Sequence, residues 1–133
     1  MKIYFGSACF HLAEKVNLEK GNLLAKKFPN RETYVRILGK PENCFLVQST
    51  KTDSDIVELV LVLDAFNDYS IKPNLIIPYF GYSKQDKRFE EGEALSAKAL
   101  AKVFSERAGK IFLIDSHIFR SDGKFEFFGM QME

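Results

Sequence analysis

The run Ile77-Pro78-Tyr79-Phe80-Gly81-Tyr82-Ser83-Lys84-Gln85-Asp86-Lys87-Arg88 places aromatic rings, a glycine and a cluster of cations directly after an apolar stretch. In open α/β sheets ligands sit outside the carboxyl ends of the strands, and a loop of this composition offers ring faces, backbone donors and positive charge together. A phosphorylated nucleotide would use all three. The same composition also suits a solvated turn whose tyrosines pack back on the sheet, and the loop alone does not separate the two readings.

Two further clusters carry groups with chemistry. Asp115-Ser116-His117 offers a carboxylate and an imidazole, both suitable contacts for Mg²⁺ or its water shell, while Lys84, Lys87 and Arg88 are suited to neutralising a triphosphate. By itself a histidine after a strand is more often a hydrogen-bonded structural residue. Phe28, Asn30 and Glu32 offer a ring to stack on a base, with an amide and a carboxylate to read its edge; a plain turn with one buried Phe is the alternative.

The elements that must position these clusters are short apolar runs alternating with helical patterns. Ile3-Tyr4-Phe5, Phe45-Leu46-Val47, Leu75-Ile76-Ile77 and Ile111 to Ile114 read as buried strands of a sheet covered on both faces. Ile56, Leu59, Val60 and Leu63 form a helical stripe entered through Asp55-x-x-Glu58, which resembles a capping box with Asp in place of Ser or Thr. A second helix is predicted from about Leu95 to Ala108, with Leu95, Ala99, Leu100, Val103 and Phe104 inward and Gly109 ending it. Strand, helix, strand alternation implies right-handed crossovers and an α/β three-layer sandwich with a mainly parallel sheet. Lys84-Gln85-Asp86 and Asp115-Ser116-His117 then follow the carboxyl ends of their strands and are expected on one rim. Leu23 to Phe28 and Thr33 to Leu38 flank Pro29-Asn30 as a hairpin-like extension. The tail from Phe119 shows no obvious terminal element; its aromatics suit either packing back on the sheet or a surface for another domain or chain.

The loop, continued through Phe89-Glu90-Glu91-Gly92-Glu93-Ala94-Leu95-Ser96-Ala97-Lys98, resembles the ribose-phosphate pyrophosphokinases, whose pattern is roughly P-Y-x-x-Y-x-R-Q-D followed by G-E-P-I-S-x-K. The likeness extends in order across nearly the whole chain, through Phe5-Gly6-Ser7 with Leu12-Ala13, Phe28-Pro29-Asn30-Arg31-Glu32, Val47-Gln48-Ser49, Glu58-Leu59 with Asp64-Ala65, and Asp115-Ser116-His117. It corresponds to the amino-terminal half of those enzymes, a phosphoribosyltransferase-like fold. The acidic pair and T-G-x-T loop that grip ribose 5-phosphate in the second half do not occur here. The resemblance implies a transferase domain that binds ATP with Mg²⁺, acts on ribose 5-phosphate only with a second half-domain, and is catalytically incomplete alone. It implies nucleotide contacts from Phe28, Asn30, Glu32, Lys84, Gln85 and Asp86, and places His117 with Asp115 at the metal. The F-x-D-G-E loop of the family reaches a neighbouring subunit's adenine, so a homo-oligomer is implied. Here Asn30 replaces Asp, Arg31 replaces Gly and loses backbone freedom, and Lys84 replaces an Arg whose planar fork an ammonium cannot reproduce. Lys98 matches a family position and equally suits a solvated helix face. A regulatory or scaffold subunit of a synthetase, binding nucleotide or phosphate without catalysis, is the alternative function.

Bulk properties fit this reading. A chain of 133 residues, 46% hydrophobic, is sized for one domain with a real core. A formal net charge of +1 gives no reason to expect nucleic acid as a general partner. Cys9 and Cys44 are too few for a disulfide framework and the start lacks a secretory pattern, so a cytoplasmic protein is expected. The longest apolar runs are far below the roughly 18 residues of a membrane span.

Overall fold

The structure is a computed structural model and describes residues 1–114, 123–127 and 129–133. Its centre is a four-stranded parallel sheet of β1 (Lys2–Phe5), β4 (Cys44–Val47), β5 (Asn74–Ile77) and β6 (Ile111–Leu113), in that spatial order. The register Phe5 to Val47, Val47 to Ile76 and Ile76 to Phe112 carries one row of side chains across all four strands. Because neighbours along a strand face opposite ways, Tyr4, Leu46, Leu75, Ile77 and Leu113 point to one face, while Ile3, Phe5 and Val47 point to the other.

Helices α1 (Asp53–Asn67) and α2 (Ser96–Arg107) cross over on the first face, as successive right-handed βαβ units moving in one direction require. A 3₁₀ helix at Ser7–Lys15 covers the second face over β1 and β4, burying Cys9 against Ile3, Phe5 and Val47. The expected α/β sandwich is therefore found, with a four-strand parallel centre. Among the described residues no helix is long and apolar enough to cross a membrane.

α1 begins three residues earlier than the Asp55-x-x-Glu58 pattern suggested. Thr52 is the N-cap: its hydroxyl accepts from Asp55 N–H and the Asp55 carboxylate accepts from Thr52 N–H, both at 3.1 Å. Leu59, Val62, Leu63 and Phe66 are fully buried on its inner face, each contributing about 1.5–3 kcal/mol. α2 buries Ala97, Ala101 and Phe104, a face rotated from the predicted stripe, on which Ala99 is exposed. Two alanines on the buried face let this helix approach the sheet closely.

The extension is an antiparallel hairpin of β2 (Asn22–Lys27) and β3 (Thr33–Leu38), whose β3 side packs on α1. Beyond β6 the tail does have a terminal element. β7 (Phe125–Phe127) and β8 (Met130–Met132) form a hairpin that buries Phe127 and Met132 in the main core, and Glu133 N–H donates to Ile111 O at 2.9 Å. Of the two readings of the tail aromatics, packing back on the fold is the one observed for Phe127. A three-residue strand is too short to show periodicity, which is why sequence missed both.

Candidate functional site

The site is built where β1, β4 and β5 end. Backbone pairing runs past the strands: Gly6 N–H donates to Val47 O, Gln48 N–H to Ile76 O, Thr50 N–H to Tyr79 O and Ile114 N–H to Ile77 O. The carboxyl ends of all four strands thus form one continuous edge, from which the candidate loops spring.

Beneath this edge lies a buried polar plug that sequence reasoning did not assign. Glu58, on the inner face of α1, accepts from Ser7 N–H at 2.7 Å, from the Ser7 hydroxyl and from Gln48 Nε2 at 3.0 Å. Gln48 Oε1 in turn accepts from Ala8 N–H at 3.2 Å. Three donors around one carboxylate offset its desolvation. Gly6 is required here, since a Cβ would stand 2.2 Å from Gln48 Oε1. The signal in sequence was a charged residue on the buried side of an apolar helix stripe, next to Leu59.

A second set of bonds locks the β4 loop to the β5 loop. Ser49 Oγ accepts from Tyr79 N–H at 3.2 Å and from Cys9 Sγ at 3.6 Å; Thr50 Oγ1 accepts from Gly81 N–H at 2.9 Å. Gly81 runs so close to the Thr50 carbonyl that a Cβ would lie 1.9 Å from the oxygen. Phe80 is driven into the core against Phe104, ring centroids 6.4 Å apart, while its neighbour Tyr79 is left half exposed above the edge. Tyr82 takes a left-handed conformation, φ +66°, and its hydroxyl donates to the Asp53 carboxylate at the start of α1. That bond raises the Tyr82 pKa, because the charged phenolate would face a carboxylate.

The product of this folding is an open cavity of about 330 Å³ walled by Lys51, Tyr79, Gly81, Tyr82, Ser83, Lys84 and Gln85. Its volume lies at the lower end of the roughly 300–1,000 Å³ of small-molecule sites. Of the predicted nucleotide residues, Lys84 and Gln85 line it together, and Asp86 follows them, half-buried, in the same loop. Gln85 also acts as a helix cap: its backbone carbonyl accepts from Ala97 N–H at 3.2 Å and its Oε1 from the Ser96 hydroxyl at 2.9 Å. Leu95, at the N-cap position of α2, makes no side-chain cap of its own.

Phe28, Asn30 and Glu32 are not walls of this cavity. They form the tip of the β2–β3 hairpin, where Arg31 N–H donates to Phe28 O and Phe28 N–H to Glu32 O, both at 2.8 Å. Asn30 Oδ1 accepts from Glu32 N–H at 3.0 Å, and the Phe28 ring meets Tyr34 edge-on at 5.3 Å while remaining partly exposed. Arg31 sits at φ +72°, the left-handed region a glycine would take without strain. Lys27, beside this turn, donates to Ser54 in the first turn of α1, so the tip stands at the same end of the molecule as the loops. Asp115 and His117 lie outside the described residues; they follow β6, which pairs in parallel with β5.

An α/β fold of this kind, with a parallel sheet and loops gathered at its carboxyl edge, is of the phosphoribosyltransferase type. Residues 1–109 match the family model described as the N-terminal domain of ribose phosphate pyrophosphokinase. The chain belongs to that family. It is 40% identical over 123 residues to a ribose-phosphate pyrophosphokinase of Methanosarcina acetivorans, covering 88% of this chain and 42% of the relative. A ribose-phosphate pyrophosphokinase of Pyrococcus abyssi is 35% identical over 125 residues, covering 88% and 44%. The crystal structure of phosphoribosylpyrophosphate synthetase from Mycobacterium smegmatis superposes with a TM-score of 0.77 at 25% identity, covering 87% of this chain and 42% of that one. The chain thus spans less than half the length of these relatives.

Proposed function

We propose that this chain is the ATP-side domain of a ribose-phosphate pyrophosphokinase, which moves the β,γ-diphosphoryl group of ATP to the C1 hydroxyl of ribose 5-phosphate and serves nucleotide biosynthesis. One observation carries the reading: in a domain of this family, a cavity at the carboxyl edge of the sheet holds two lysines and an exposed ring and, among the described residues, no carboxylate in its walls. Cations so placed suit developing phosphate charge, and phosphoryl transfer asks little of a protein beyond positioning and electrostatics.

Among the described residues no group of three metal-ligating side chains occurs. Mg²⁺ is commonly held by one or two side chains plus substrate phosphates, so Asp115 and His117 with the polyphosphate suffice as the proposed set. The ion would supply charge neutralisation on the phosphates. Phe28, Asn30 and Glu32 at the hairpin tip are proposed to reach the adenine of a neighbouring subunit, in a cytoplasmic homo-oligomer. The sugar-phosphate loop would come from a second half-domain, so this chain alone forms no product.

A non-catalytic subunit that binds nucleotide and regulates a synthetase is the second reading. It is favoured by the commitment of Gln85 Oε1 to Ser96 and of Asn30 Oδ1 to Glu32, which leaves each amide oxygen one lone pair for a ligand. Mixing the chain with a separately expressed carboxyl-terminal half decides between them. Phosphoribosyl diphosphate formed from ATP and ribose 5-phosphate only in the mixture supports the enzyme; nucleotide binding without turnover in the mixture supports the regulator.

A further inference from the structure

The motif and the comparisons assign no function to Lys51, which stands between the end of β4 and the N-cap Thr52, in a loop separate from the Lys84 motif. We propose that Lys51 is the second phosphate-contacting cation of this cavity, pairing with Lys84 to grip the polyphosphate of a nucleoside triphosphate. The proposal rests on the nucleotide reading above and extends it to a residue on another loop.

Three observations carry it. Lys51 and Lys84 wall the same cavity of about 330 Å³, although they come from the loops after β4 and β5. Lys51 Nζ lies 5.6 Å from the centroid of the Tyr79 ring, and that ring is half exposed, so the ammonium stands over a ring that walls the cavity. The acids nearest to it in sequence are engaged elsewhere: the Asp53 carboxylate accepts from the Tyr82 hydroxyl and the Asp55 carboxylate from Thr52 N–H. The ion pairs seen among the described residues are Lys2 with Glu19 and Arg107 with Glu106, so no described carboxylate pairs with Lys51 or Lys84.

Two unneutralised cations sharing one small cavity repel each other, and a polyanion between them removes that repulsion. The pairing also answers the substitution at Lys84. A guanidinium contacts two phosphate oxygens with one planar fork, whereas an ammonium is a point charge. Two ammonium groups on opposite loops regain contact with two oxygens. The bonds of Ser49 and Thr50 to Tyr79 and Gly81 fix the spacing of those loops, so the backbones that carry the two lysines are set before the ligand arrives.

The test uses the full chain and its Lys51→Gln, Lys51→Arg and Lys84→Gln variants, titrated calorimetrically with Mg·ATP, magnesium tripolyphosphate and adenosine at low and high salt. Lys51 is exposed, so folding is expected to survive, and circular dichroism checks it. Lys51→Gln is expected to weaken Mg·ATP and tripolyphosphate by a similar factor, roughly five- to tenfold, to flatten their salt dependence, and to leave adenosine unchanged; Lys51→Arg restores most of the loss. Wild-type tripolyphosphate affinity in Lys51→Gln overturns the proposal even if Mg·ATP binds well, and leaves the nucleotide reading standing. Lys51-dependent tripolyphosphate binding with no gain from the adenosine moiety supports the two-lysine grip while removing the nucleotide reading. Absence of binding of both phosphate probes to the wild-type chain overturns both.

Discussion

Gly81→Ala attacks the site through its scaffold and touches no proposed ligand. The added Cβ would stand 1.9 Å from the Thr50 carbonyl oxygen, whereas ordinary contact begins at 3.4 Å, so the β5 loop must retreat by about 1.5 Å. The obstacle is backbone, and Lys51 Cα lies 3.7 Å from the same point, so no side chain can swing aside. Crowding of this kind costs about 1–3 kcal/mol. The retreat also strains the bonds from Gly81 N–H to Thr50 Oγ1 and from Thr50 N–H to Tyr79 O, each 2.9 Å and worth about 1 kcal/mol. The total, about 3–5 kcal/mol, is a large share of the roughly 5–15 kcal/mol of a typical domain. Urea unfolding should therefore show a free energy lowered by that amount, read as a lower midpoint at unchanged slope, with Mg·ATP affinity reduced tenfold or more. Because Gly81 does not need a left-handed backbone, the effect isolates contact from conformation. A Gly81→Ala protein within about 0.5 kcal/mol of wild type would refute the interlock.

Glu58→Ala leaves Ser7 N–H, the Ser7 hydroxyl and Gln48 Nε2 without their acceptor and should cost about 3 kcal/mol in the same assay, with Glu58→Gln milder. Arg31→Gly relieves a left-handed arginine and should raise stability by about 0.5–1 kcal/mol, measured by thermal melting; a loss would show that Arg31 makes a compensating contact. Burial pushes the Cys44 thiol from an ordinary 9.0 up to about 11, so at pH 8 the folded chain should leave Cys44 unlabelled by a thiol reagent while the unfolded chain reacts fully. Since the folded pKa is the higher one, this thiol's stabilising contribution is complete below pH 9 and declines between pH 9 and about 11, which urea midpoints across that window will show.

The four apolar runs announced the sheet because fully buried parallel strands carry continuous hydrophobic sequence, and Leu59 with Leu63 announced α1. The start of α1 was misplaced because Thr52 and Asp55 form the reciprocal pair, and Asp55 reads equally as cap or as third helical residue until the bonds are seen. The aromatic loop was legible because Tyr79, Gly81, Lys84 and Gln85 are contiguous. Lys51 was not, since only the parallel pairing of β4 with β5 brings it to Tyr79. The Ser7, Gln48 and Glu58 plug was present as separate residues, but three polar groups from three elements give no local pattern. The β7–β8 hairpin escaped for lack of length, although Phe127 and Met132 carried the apolar content it buries.

On the proposed function, the loops after β4 and β5 form one nucleotide phosphate site. Backbone amide NMR of the isotopically labelled chain during titration with Mg·ATP tests it residue by residue. The largest shifts are expected at Lys51, Tyr79, Tyr82, Ser83, Lys84 and Gln85, with the buried strands unmoved. Shifts confined to another part of the surface, or none at millimolar Mg·ATP, would contradict it.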